Sequence, residues 1–275
     1  MEKKTTIGEV VDFLDATFHP ELQEDYDNAG FLLGERSTLF HGALVALDLT
    51  PAVVDEVLSY GDMNLIVTHH PFIFSGLKRI TDGSETGRMV MKLVKNNIAV
   101  YAAHTNLDNL PWGVSGVLAE RLGLKDCHIL KGVQGSAGEC ERVQDNSVGA
   151  GMVGELPRAM EANKFLLKVK ELTGQPLIRT SMHDPKRRVK RVALCGGSGA
   201  PFIGDAIAAR ADVYLTADLK YHDFQRPEGR IILADAGHYE TEQFAKEIIF
   251  RAISEKYCNF AVRISLQQGS LVRYI

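Results

Sequence analysis

A strand–helix–strand unit occurs twice in this chain of 275 residues, and the repeat restricts the folds that the chain can adopt. An apolar strand, a turn, a helix and a second apolar strand ending in threonine are predicted from Ala46 to Thr68 and again from Ala193 to Thr216. Because parallel strands need a crossover between them, each copy predicts a largely parallel or mixed sheet. The repetition predicts an α/β fold of two modules related by a pseudo-twofold axis.

Two adjacent histidines, His69 and His70, follow the buried strand predicted at Leu65–Val67. Neighbouring side chains on a strand point to opposite faces, so both rings can serve one site only where the strand ends, as Pro71 indicates here. Open α/β sheets place their sites at the carboxyl ends of strands. Two simpler interpretations stay open: one ring packed in the core, or both rings solvated in a loop.

A histidine and a carboxylate four positions apart close each copy of the repeat: His104 with Asp108, and His238 with Glu242. Residues four apart at a helix start lie on one face, about one turn from each other. Imidazole nitrogen and carboxylate oxygen are ligands that zinc, iron and manganese accept. Alternatively, His238 and Glu242 form an ordinary surface pair, Asp108 is a turn residue and His104 is a core histidine.

The recurrence of these groups at matching strand ends favours a metal site. The candidate metal ligands are His69, His70, Asp108, His238 and Glu242. Two divalent ions about 3.5–4 Å apart could share a water molecule and lower its pKa, as in two-metal hydrolases. Residues that could orient ligands or assist proton transfer are His104, Asp218 and His222. The histidines predicted to be surface residues are His19, His41, His128 and His183.

The composition argues against several classes of protein. A net charge of −4 gives no general attraction to nucleic acid or anionic membranes, so neither is expected as a partner. Without an apolar run of about 18 residues or a signal-peptide core, the chain is expected to be cytoplasmic, with no membrane span. The four cysteines form no Cys-x-x-Cys pair, which argues against a thiolate zinc site or a disulfide scaffold.

Two further motifs favour structural roles. Gly196-Gly197-Ser198-Gly199 stands between a predicted strand and a predicted helix. A tight turn is favoured over an anion contact there, because the lysine of a P-loop is missing. The basic run Lys186–Arg191 leads into a strand of an acidic chain, so a solvated strand edge is favoured over nucleic-acid binding.

Between Lys125 and Gly154 the sequence becomes rich in glycine and polar residues, which predicts the crossing between the modules. The predicted first module is 1–127, joined by the C-terminal 238–275, and the second is 128–237. Later predicted elements are a helix at Ala159–Thr173 and terminal strands at Phe260–Leu266 and Leu271–Tyr274.

Five motifs occur in order along the chain: Tyr26-Asp27-Asn28-Ala29-Gly30, Val67-Thr68-His69-His70-Pro71, Ala103-His104-Thr105-Asn106-Leu107-Asp108, Thr216-Ala217-Asp218 with His222, and Gly237-His238-Tyr239-Glu240-Thr241-Glu242. With these motifs the chain resembles, nearly end to end, the Nif-three-like dinuclear metal-centre family, also labelled homologues of a type-two GTP cyclohydrolase I. The resemblance implies two intertwined α/β modules and a ring-shaped homohexamer whose central cavity faces the metal sites.

The resemblance also implies two divalent metal ions per subunit. It places His69 and His70 at the family's paired histidines, Asp108 at the bridging aspartate, and His238 and Glu242 at the late ligands. Some relatives have a larger domain inserted in mid-chain, where this chain has only the stretch Gly132–Asp145. Any role of that insert is therefore not expected here.

The expected function is that of a metal-dependent hydrolase, GTP cyclohydrolase-like, acting on a small molecule such as a nucleotide or similar heterocycle. Cyclohydrolase chemistry needs water attack on a guanine ring carbon, which a metal site can support, although no feature of the sequence specifies a purine pocket. His104 is the candidate catalytic residue, as a proton shuttle or a ligand orienter. Two alternatives stay open: a metal-binding protein that delivers ions without turnover, and a ring-shaped scaffold.

Overall fold

The computed structural model describes residues 4–132, 147–267 and 269–275. The chain divides into two compact units, one formed by Met1–Leu107 with Ala245–Gly269 and the other by Asp108–Phe244 with Ser270–Ile275. Each unit has its own sheet and its own buried apolar clusters. The predicted α/β class with two mixed sheets is therefore confirmed.

The strands of both sheets include parallel and antiparallel pairs. In the part of the chain that the structure describes, the strands are β1 (Gly30–Leu33), β2 (Gly42–Ala46), β3 (Leu65–Thr68), β4 (Ala99–Ala102), β5 (Lys125–Gly132), β6 (Gly149–Glu161), β7 (Arg179–Thr180), β8 (Arg188–Ser198), β9 (Val213–Ala217), β10 (Ile232–Asp235) and β11 (Ala261–Ile264).

Helices connect most of these strands. They are α1 (Ile7–Phe18), α2 (Pro51–Tyr60), α3 (Glu85–Lys95), α4 (Thr105–Asp108), α5 (Val114–Arg121), α6 (Ala162–Thr173), α7 (Ile203–Ala208), α8 (His238–Glu242) and α9 (Ala245–Lys256). Short 3-10 helices lie at Pro20–Leu22, Ala200–Phe202 and Tyr221–Gln225. Among the residues described here, no helix combines the length and the apolar character needed to cross a membrane.

Local sequence determines where the first helices begin and end. Thr6 and Glu9 form a capping box at α1, in which each backbone N–H donates to the other residue's side chain, at 3.1 and 3.3 Å. Thr50 and Ser84 cap α2 and α3 with their hydroxyl oxygens. Gly61 ends α2 with a φ of 70°, a conformation that glycine adopts without a Cβ clash.

The sheet of the first unit has the order β1-β4-β3-β2-β11. Its inner strands β2, β3 and β4 are parallel and entirely buried, as expected where helices cover a parallel sheet. β11 pairs in parallel with β2 at one edge, and β1 pairs antiparallel with β4 at the other. Buried Val53, Val57 and Leu93 belong to the apolar cluster that α2 and α3 share with this sheet. Thr68 pairs with Ala102, so β3 and β4 end at the same edge.

The sheet of the second unit has the order β5-β6-β8-β9-β10-β7. β8, β9 and β10 are parallel, whereas β6 and β7 pair antiparallel with β8 and β10. One apolar cluster includes Phe165, Val192 and Leu215, and another includes Ile203 and Tyr214. The sheet is thus covered by apolar side chains on both faces, and its parallel centre places the ends of β9 and β10 at one edge.

The repeated strand–helix–strand unit predicted from the sequence is present in both units. β2, α2 and β3 continue to β4 as three parallel strands, and β8, α7 and β9 continue to β10 in the same way. His104 follows the end of β4, and His238 follows the end of β10. The two histidines therefore occupy equivalent positions within their own sheets.

The predicted crossing between Lys125 and Gly154 is wrong in part, because it contains β5 and the first half of β6. These strands pair antiparallel, with Ile129 opposite Met152. The pattern was hidden because the first four side chains of β5 are exposed and no apolar alternation marks the strand. β6 continues to Glu161, so α6 begins at Ala162 and not at Ala159. Residues 133–146, the centre of the glycine-rich stretch, lie outside the described residues.

The predicted strand at Leu271–Tyr274 is also wrong. Leu271 and Val272 are 79% and 59% exposed. The hydroxyl of Tyr274 accepts a hydrogen bond from the side chain of Gln175 at 3.0 Å. Among the residues that the structure describes, no strand pairs with this segment.

The basic run Lys186–Arg191 does not form a solvated strand edge, because β8 lies between β6 and β9. Arg188 and Lys190 donate to the backbone carbonyls of Ala159 and Leu156, and Arg191 donates to the carbonyl of Ala209. These cations satisfy carbonyl groups of neighbouring segments, a structural role that long cationic side chains can take.

The second compact unit begins earlier and ends later than the predicted module 128–237. Leu118 and Leu122, in and after α5, are fully buried in the apolar cluster that contains Phe165. Phe244, which follows α8, belongs to the same cluster. Apolar packing therefore holds α5 and α8 in this unit.

Candidate metal centre

His69 and His70 directly follow β3 at the edge of the first unit's sheet. Their backbone N–H groups donate to the carbonyls of Ala46 and Leu47, at 3.2 and 2.9 Å. The hydroxyl of Thr68 donates to the carbonyl of His70 at 2.8 Å and closes the turn. His69 is buried and His70 is partly exposed. Backbone hydrogen bonds therefore hold both rings at the strand end, as the sequence predicted.

His104 lies beside these two histidines. The ring centroids are 5.0 Å apart for His69 and His70, 5.3 Å for His69 and His104, and 5.5 Å for His70 and His104. Each ring offers one nitrogen, and the three nitrogens lie within 4.8 Å of one another. These three residues, the imidazole cluster, could hold a metal ion.

An oxygen atom faces Nδ1 of every ring in the imidazole cluster. The acceptors, each at 2.7 Å, are the Ala103 carbonyl for His69, an Asp48 carboxylate oxygen for His70 and an Asp27 carboxylate oxygen for His104. Carbonyl and carboxylate oxygens cannot donate, so each neutral ring carries its proton on Nδ1 and its lone pair on Nε2. Such acceptors behind metal-binding histidines fix the tautomer and orient the ring.

Asp27 has hydrogen-bond partners besides His104, and its side chain is shielded from solvent. It also accepts hydrogen bonds from the backbone and hydroxyl groups of Thr105 and from the backbone N–H of Asn28. Burial raises the pKa of Asp27, but the hydrogen bonds from His104 and Thr105 outweigh burial and hold this pKa at about 2. Asp27 is therefore a carboxylate at neutral pH.

In the second unit, His238 and Glu242 occupy the first and last positions of α8. Nε2 of His238 lies 2.8 Å from Glu242, and its Nδ1 lies 2.7 Å from Asp218, which follows β9. Burial lowers the pKa of His238, but hydrogen bonds to Asp218 and Glu242 and their negative charges raise it to about 11. An imidazole held by two carboxylates attracts positive charge strongly, as a divalent cation site does.

The Gly196–Gly199 segment makes room for Glu242. A Cβ on Gly197 would lie 1.8 Å from a carboxylate oxygen of Glu242, and the φ of Gly197 is +63°. The N–H groups of Gly196 and Gly197 donate to the hydroxyls of Ser115 and Thr241, at 3.2 and 3.0 Å. Because these two N–H groups have protein acceptors, the segment serves the placement of Glu242 and not an anion contact.

Asp108 ends α4 and is partly exposed. Burial raises the pKa of the Cys195 thiol, and the charges of Asp108 and Glu242 raise it further. One carboxylate oxygen of Asp108 and one of Glu242 lie within 4.8 Å of each other. Two carboxylates near one another in this unit are a further feature of a cation site.

The structure places the remaining candidate residues from the sequence either beside a ligand group or at the surface. Asp218 lies 2.7 Å from Nδ1 of His238 and can orient its ring, while its role in supporting a metal ligand stays a prediction. His222 is exposed and packs edge-on against Tyr221, with ring centroids 5.2 Å apart, and it belongs to neither ligand group. The predicted surface histidines are all exposed: His19, His41, His128 and His183.

Sequence reasoning missed the roles of Asp48 and Asp27. Asp48 lies two residues beyond β2, at the same edge of the sheet as His70. Its position at a strand end was a usable signal, because carboxylates beside histidines at this edge can support them. Asp27 lies in the turn before β1, and β1 starts at the edge where β4 ends, because Gly30 pairs antiparallel with Ala102. The pairing that brings Asp27 to His104 was not predicted from the sequence pattern.

The imidazole cluster of the first unit and the group of His238, Glu242 and Asp108 in the second unit both fit divalent metal ions. The donors are imidazole nitrogens and carboxylate oxygens, the set that zinc, iron and manganese accept. The nitrogens are oriented by hydrogen bonds, and Glu242 has a glycine-lined space. Cys127, Cys195 and Cys258 are free thiols and do not join any of the described metal-ligand groups.

Comparisons with known proteins identify relatives over most of the chain. A sequence model of the family Duf34/NIF3 (NGG1p interacting factor 3) matches residues 5–269. A protein of Nostoc sp. (strain PCC 7120) named GTP cyclohydrolase 1 type 2 homolog is 36% identical over 241 residues, covering 86% of this chain and 87% of that protein.

Two solved structures share the fold. The Staphylococcus aureus hypothetical protein SA1388 is 27% identical, with a TM-score of 0.88, over 99% of this chain and 100% of that chain. A Bacillus cereus protein related to NIF3 has a TM-score of 0.87 at 22% identity, with both chains covered in full. The α/β fold described above is therefore the fold of these proteins.

Proposed function

The chain belongs to the Duf34/NIF3 family, and on this basis we propose that it is a metal-dependent hydrolase with a dinuclear centre. The proposed substrate is a small molecule, a nucleotide or a similar heterocycle, and the proposed chemistry is GTP cyclohydrolase-like. The name GTP cyclohydrolase 1 type 2 homolog of several relatives supports this choice. The main structural support is that all four candidate imidazoles have Nδ1 against an oxygen acceptor, an orientation typical of metal-binding histidines.

The proposed ligands of two divalent ions per subunit are His69, His70, Asp108, His238 and Glu242. Bound ions of this kind would supply Lewis-acid polarisation of the substrate and activation of water at neutral pH. The protein's own contribution is to orient the imidazoles through Nδ1 and to keep carboxylates ionised beside them. The oriented rings support this assignment in the first unit, and the carboxylates of Asp218 and Glu242 beside the two ring nitrogens of His238 support it in the second.

His104 is the proposed proton-transfer residue. Asp27 holds its Nδ1, so a proton can be accepted or released at Nε2 without rotation of the ring. The imidazole is partly exposed, so solvent reaches part of the ring. The alternative role for His104 is that of a third imidazole ligand, because its ring nitrogen lies with those of His69 and His70.

We also propose a ring-shaped homohexamer, which the family resemblance implies. Light scattering on the purified protein should give six times the mass of one chain. A monomeric mass at micromolar concentration would remove the hexamer from the proposal without affecting the ligand assignment.

Elemental analysis coupled to a hydrolysis screen tests the function. Protein stripped with a chelator would be loaded separately with Zn²⁺, Mn²⁺ and Fe²⁺, analysed for metal per chain, and incubated with GTP. The expected result is about two ions per chain, as in two-metal hydrolases, and a ring-opened product detected by mass spectrometry. Exchangeable metal with no turnover across a panel of nucleotides would favour metal delivery. A chain that binds no ion under any of these conditions would exclude both functions.

The same preparation tests whether the ions share one centre. X-ray absorption on the Zn²⁺-loaded protein reports the distance between neighbouring metals, and about 3.5–4 Å is expected for a dinuclear centre. Spectra that show only light-atom neighbours would contradict a dinuclear centre while leaving the separate ligand groups in place.

A further inference from the structure

Two exposed aromatic residues lie in loops next to the imidazole cluster. Tyr26 is 65% exposed and Phe74 is 50% exposed. The ring centroid of Phe74 lies 6.3 Å from that of His104 and 6.4 Å from that of Tyr26. The side chain of His104 is 16% exposed, so exposure increases along the row from His104 through Phe74 to Tyr26. The row therefore leads from the candidate catalytic imidazole toward solvent.

Hydrogen bonds hold the two aromatic loops together. The side chain of Asn28, two residues after Tyr26, donates to the carbonyl of Ile73, next to Phe74, at 2.5 Å. The backbone N–H of Ala29 donates to the side chain of Gln23 at 2.8 Å. Asp27, which separates Tyr26 from Asn28, is itself held by His104 and Thr105. The positions of the aromatic rings are thus coupled to the position of His104.

This row of aromatic rings is not explained by packing of the core. Phe72, two residues before Phe74, packs against the buried cluster of the first unit, whereas Phe74 and Tyr26 leave half or more of their surface in water. A single exposed aromatic residue is common on protein surfaces. Two of them, in contact and held beside a group of oriented imidazoles, present ring faces on which a planar ligand can stack.

The loop that contains Phe74 also presents positive charge. Lys78 and Arg79 are exposed, and neither forms an ion pair within the part of the chain that the structure describes. The chain has a net charge of −4, so two adjacent cations without carboxylate partners form a local positive charge on an acidic protein. Arginine and lysine side chains of this kind bind phosphate groups.

We propose that Phe74 and Tyr26 bind the planar heteroaromatic ring of a phosphorylated small-molecule substrate, and that Lys78 and Arg79 bind its phosphate groups. The inference rests on the proposed function and names the substrate class of the same site. The ring is recognised by stacking next to His104, and the phosphate is recognised by charge on the same loop. The aromatic loop is then a specificity-determining part of the protein.

Calorimetric binding of GTP, with inorganic triphosphate as the ring-free probe, tests the proposal on metal-free and on Zn²⁺-loaded protein. The wild-type protein should bind GTP more tightly than triphosphate in both states. Phe74→Leu, which keeps apolar bulk but removes the aromatic face, should weaken GTP binding by about tenfold or more, since stacking on an aromatic side chain commonly contributes that much. Triphosphate binding should change by less than about twofold, because triphosphate has no ring to stack.

Matched variants complete the design. Phe74→Tyr should restore GTP binding, because it restores an aromatic face. Lys78→Ala combined with Arg79→Ala should weaken GTP and triphosphate binding together. Leu167→Ala, at an exposed apolar residue of α6, should bind both probes as the wild type does.

Three results would overturn the inference: wild-type binding of GTP no tighter than that of triphosphate, unchanged GTP binding by Phe74→Leu, or equal weakening of both probes by that variant. Light scattering on Phe74→Leu can give a fourth such result. If this variant changes the state of assembly but keeps the wild-type GTP affinity, Phe74 contributes to contacts between copies of the chain and not to ligand binding. Metal content is measured on every sample. A wild-type protein that binds no metal would contradict the proposed metal function. The comparison of GTP with triphosphate binding on metal-free protein would still test this inference.

Discussion

The carboxylate of Asp27 lies 2.7 Å from Nδ1 of His104, although 77 positions separate the two residues in the chain. The contact joins a turn before β1 to the end of β4 within the first unit. Because Asp27 is shielded from solvent and has a pKa of about 2, the pair places a permanent negative charge behind an imidazole. This relationship gives His104 a fixed tautomer.

Asp27→Asn should reduce the zinc affinity or the hydrolytic rate by about 10–100-fold, the usual effect of removing a partner behind an active-site histidine. The amide keeps the size of the side chain but can donate to Nδ1, which favours the wrong tautomer. Zinc affinity is measured by competition with a chromogenic chelator, and the rate with the substrate found in the screen. Asp25→Asn, at an exposed neighbour, is the control. Wild-type values for both quantities in Asp27→Asn would contradict the proposed role of this pair.

Asp108→Ala should lower the metal content by at least about one ion per chain, because the carboxylate proposed to hold both ions would be lost. The fold should be retained, since the side chain of Asp108 is only partly buried at the end of α4. Elemental analysis measures the metal, and circular dichroism checks the fold. Glu120→Ala removes an exposed carboxylate from α5 of the same unit and should not change the metal content. Full metal content in Asp108→Ala would remove Asp108 from the ligand set.

Gly197→Ala should lower both the metal affinity and the free energy of unfolding. The new Cβ would collide with the carboxylate of Glu242, and the left-handed backbone alone costs about 1–2 kcal/mol for a residue with a Cβ. Urea unfolding and chelator competition measure the two effects. Gly204→Ala is the matched control, because its Cβ would meet no atom within 4 Å and it lies in α7. Gly204→Ala should keep the wild-type metal affinity, and its free energy of unfolding should be unchanged or higher by up to about 1 kcal/mol.

Glu56→Gln should destabilise the metal-free protein by about 1–3 kcal/mol at neutral pH, because a buried charged acceptor is lost. Burial raises the pKa of Glu56, but hydrogen bonds from Leu266, Ser265, Tyr60 and Gln267 lower it below its ordinary value of 4.5. The stability that Glu56 contributes is therefore present above that ordinary value and lost as the pH falls through the lower folded value.

Urea unfolding of the wild type and Glu56→Gln from about pH 7 to pH 3, with chelator present, measures this effect through the difference in unfolding free energy. The difference should shrink below about pH 4.5. Glu255→Gln, at an exposed glutamate of α9, should show no such trend. A constant difference across this range would show that the charge of Glu56 does not contribute to folding.

Much of the fold was predictable because its signals are short in range. The apolar runs at β3 and β8, the capping box at Thr6 and the glycine after α2 each act within a few residues. Repetition of the strand–helix–strand unit then predicted parallel strands in both halves, and the structure contains them. β5 was missed because its stability comes from pairing with β6 and not from its own apolar pattern.

The candidate ligands and one supporting residue, Asp218, were visible in the sequence, but the supporting residues of the first unit were not. Histidine and carboxylate side chains at strand ends are visible in the sequence, since strand ends follow from apolar runs. Asp48 supports His70 across 22 positions, and no local pattern connects the two residues. The space beside Gly197 depends on where α8 packs against β8, which no spacing rule reports.

The sequence by itself determined the order of the repeated strands and helices in the two halves and the identity of the donor groups at their ends. Tertiary structure alone decided which oxygen faces each Nδ1, which glycine leaves room for Glu242, and that Leu271–Tyr274 forms no strand. The physical reason is range: helix caps and apolar periodicity act between near neighbours. Hydrogen-bond partners and steric clearance are set by segments that meet only after folding.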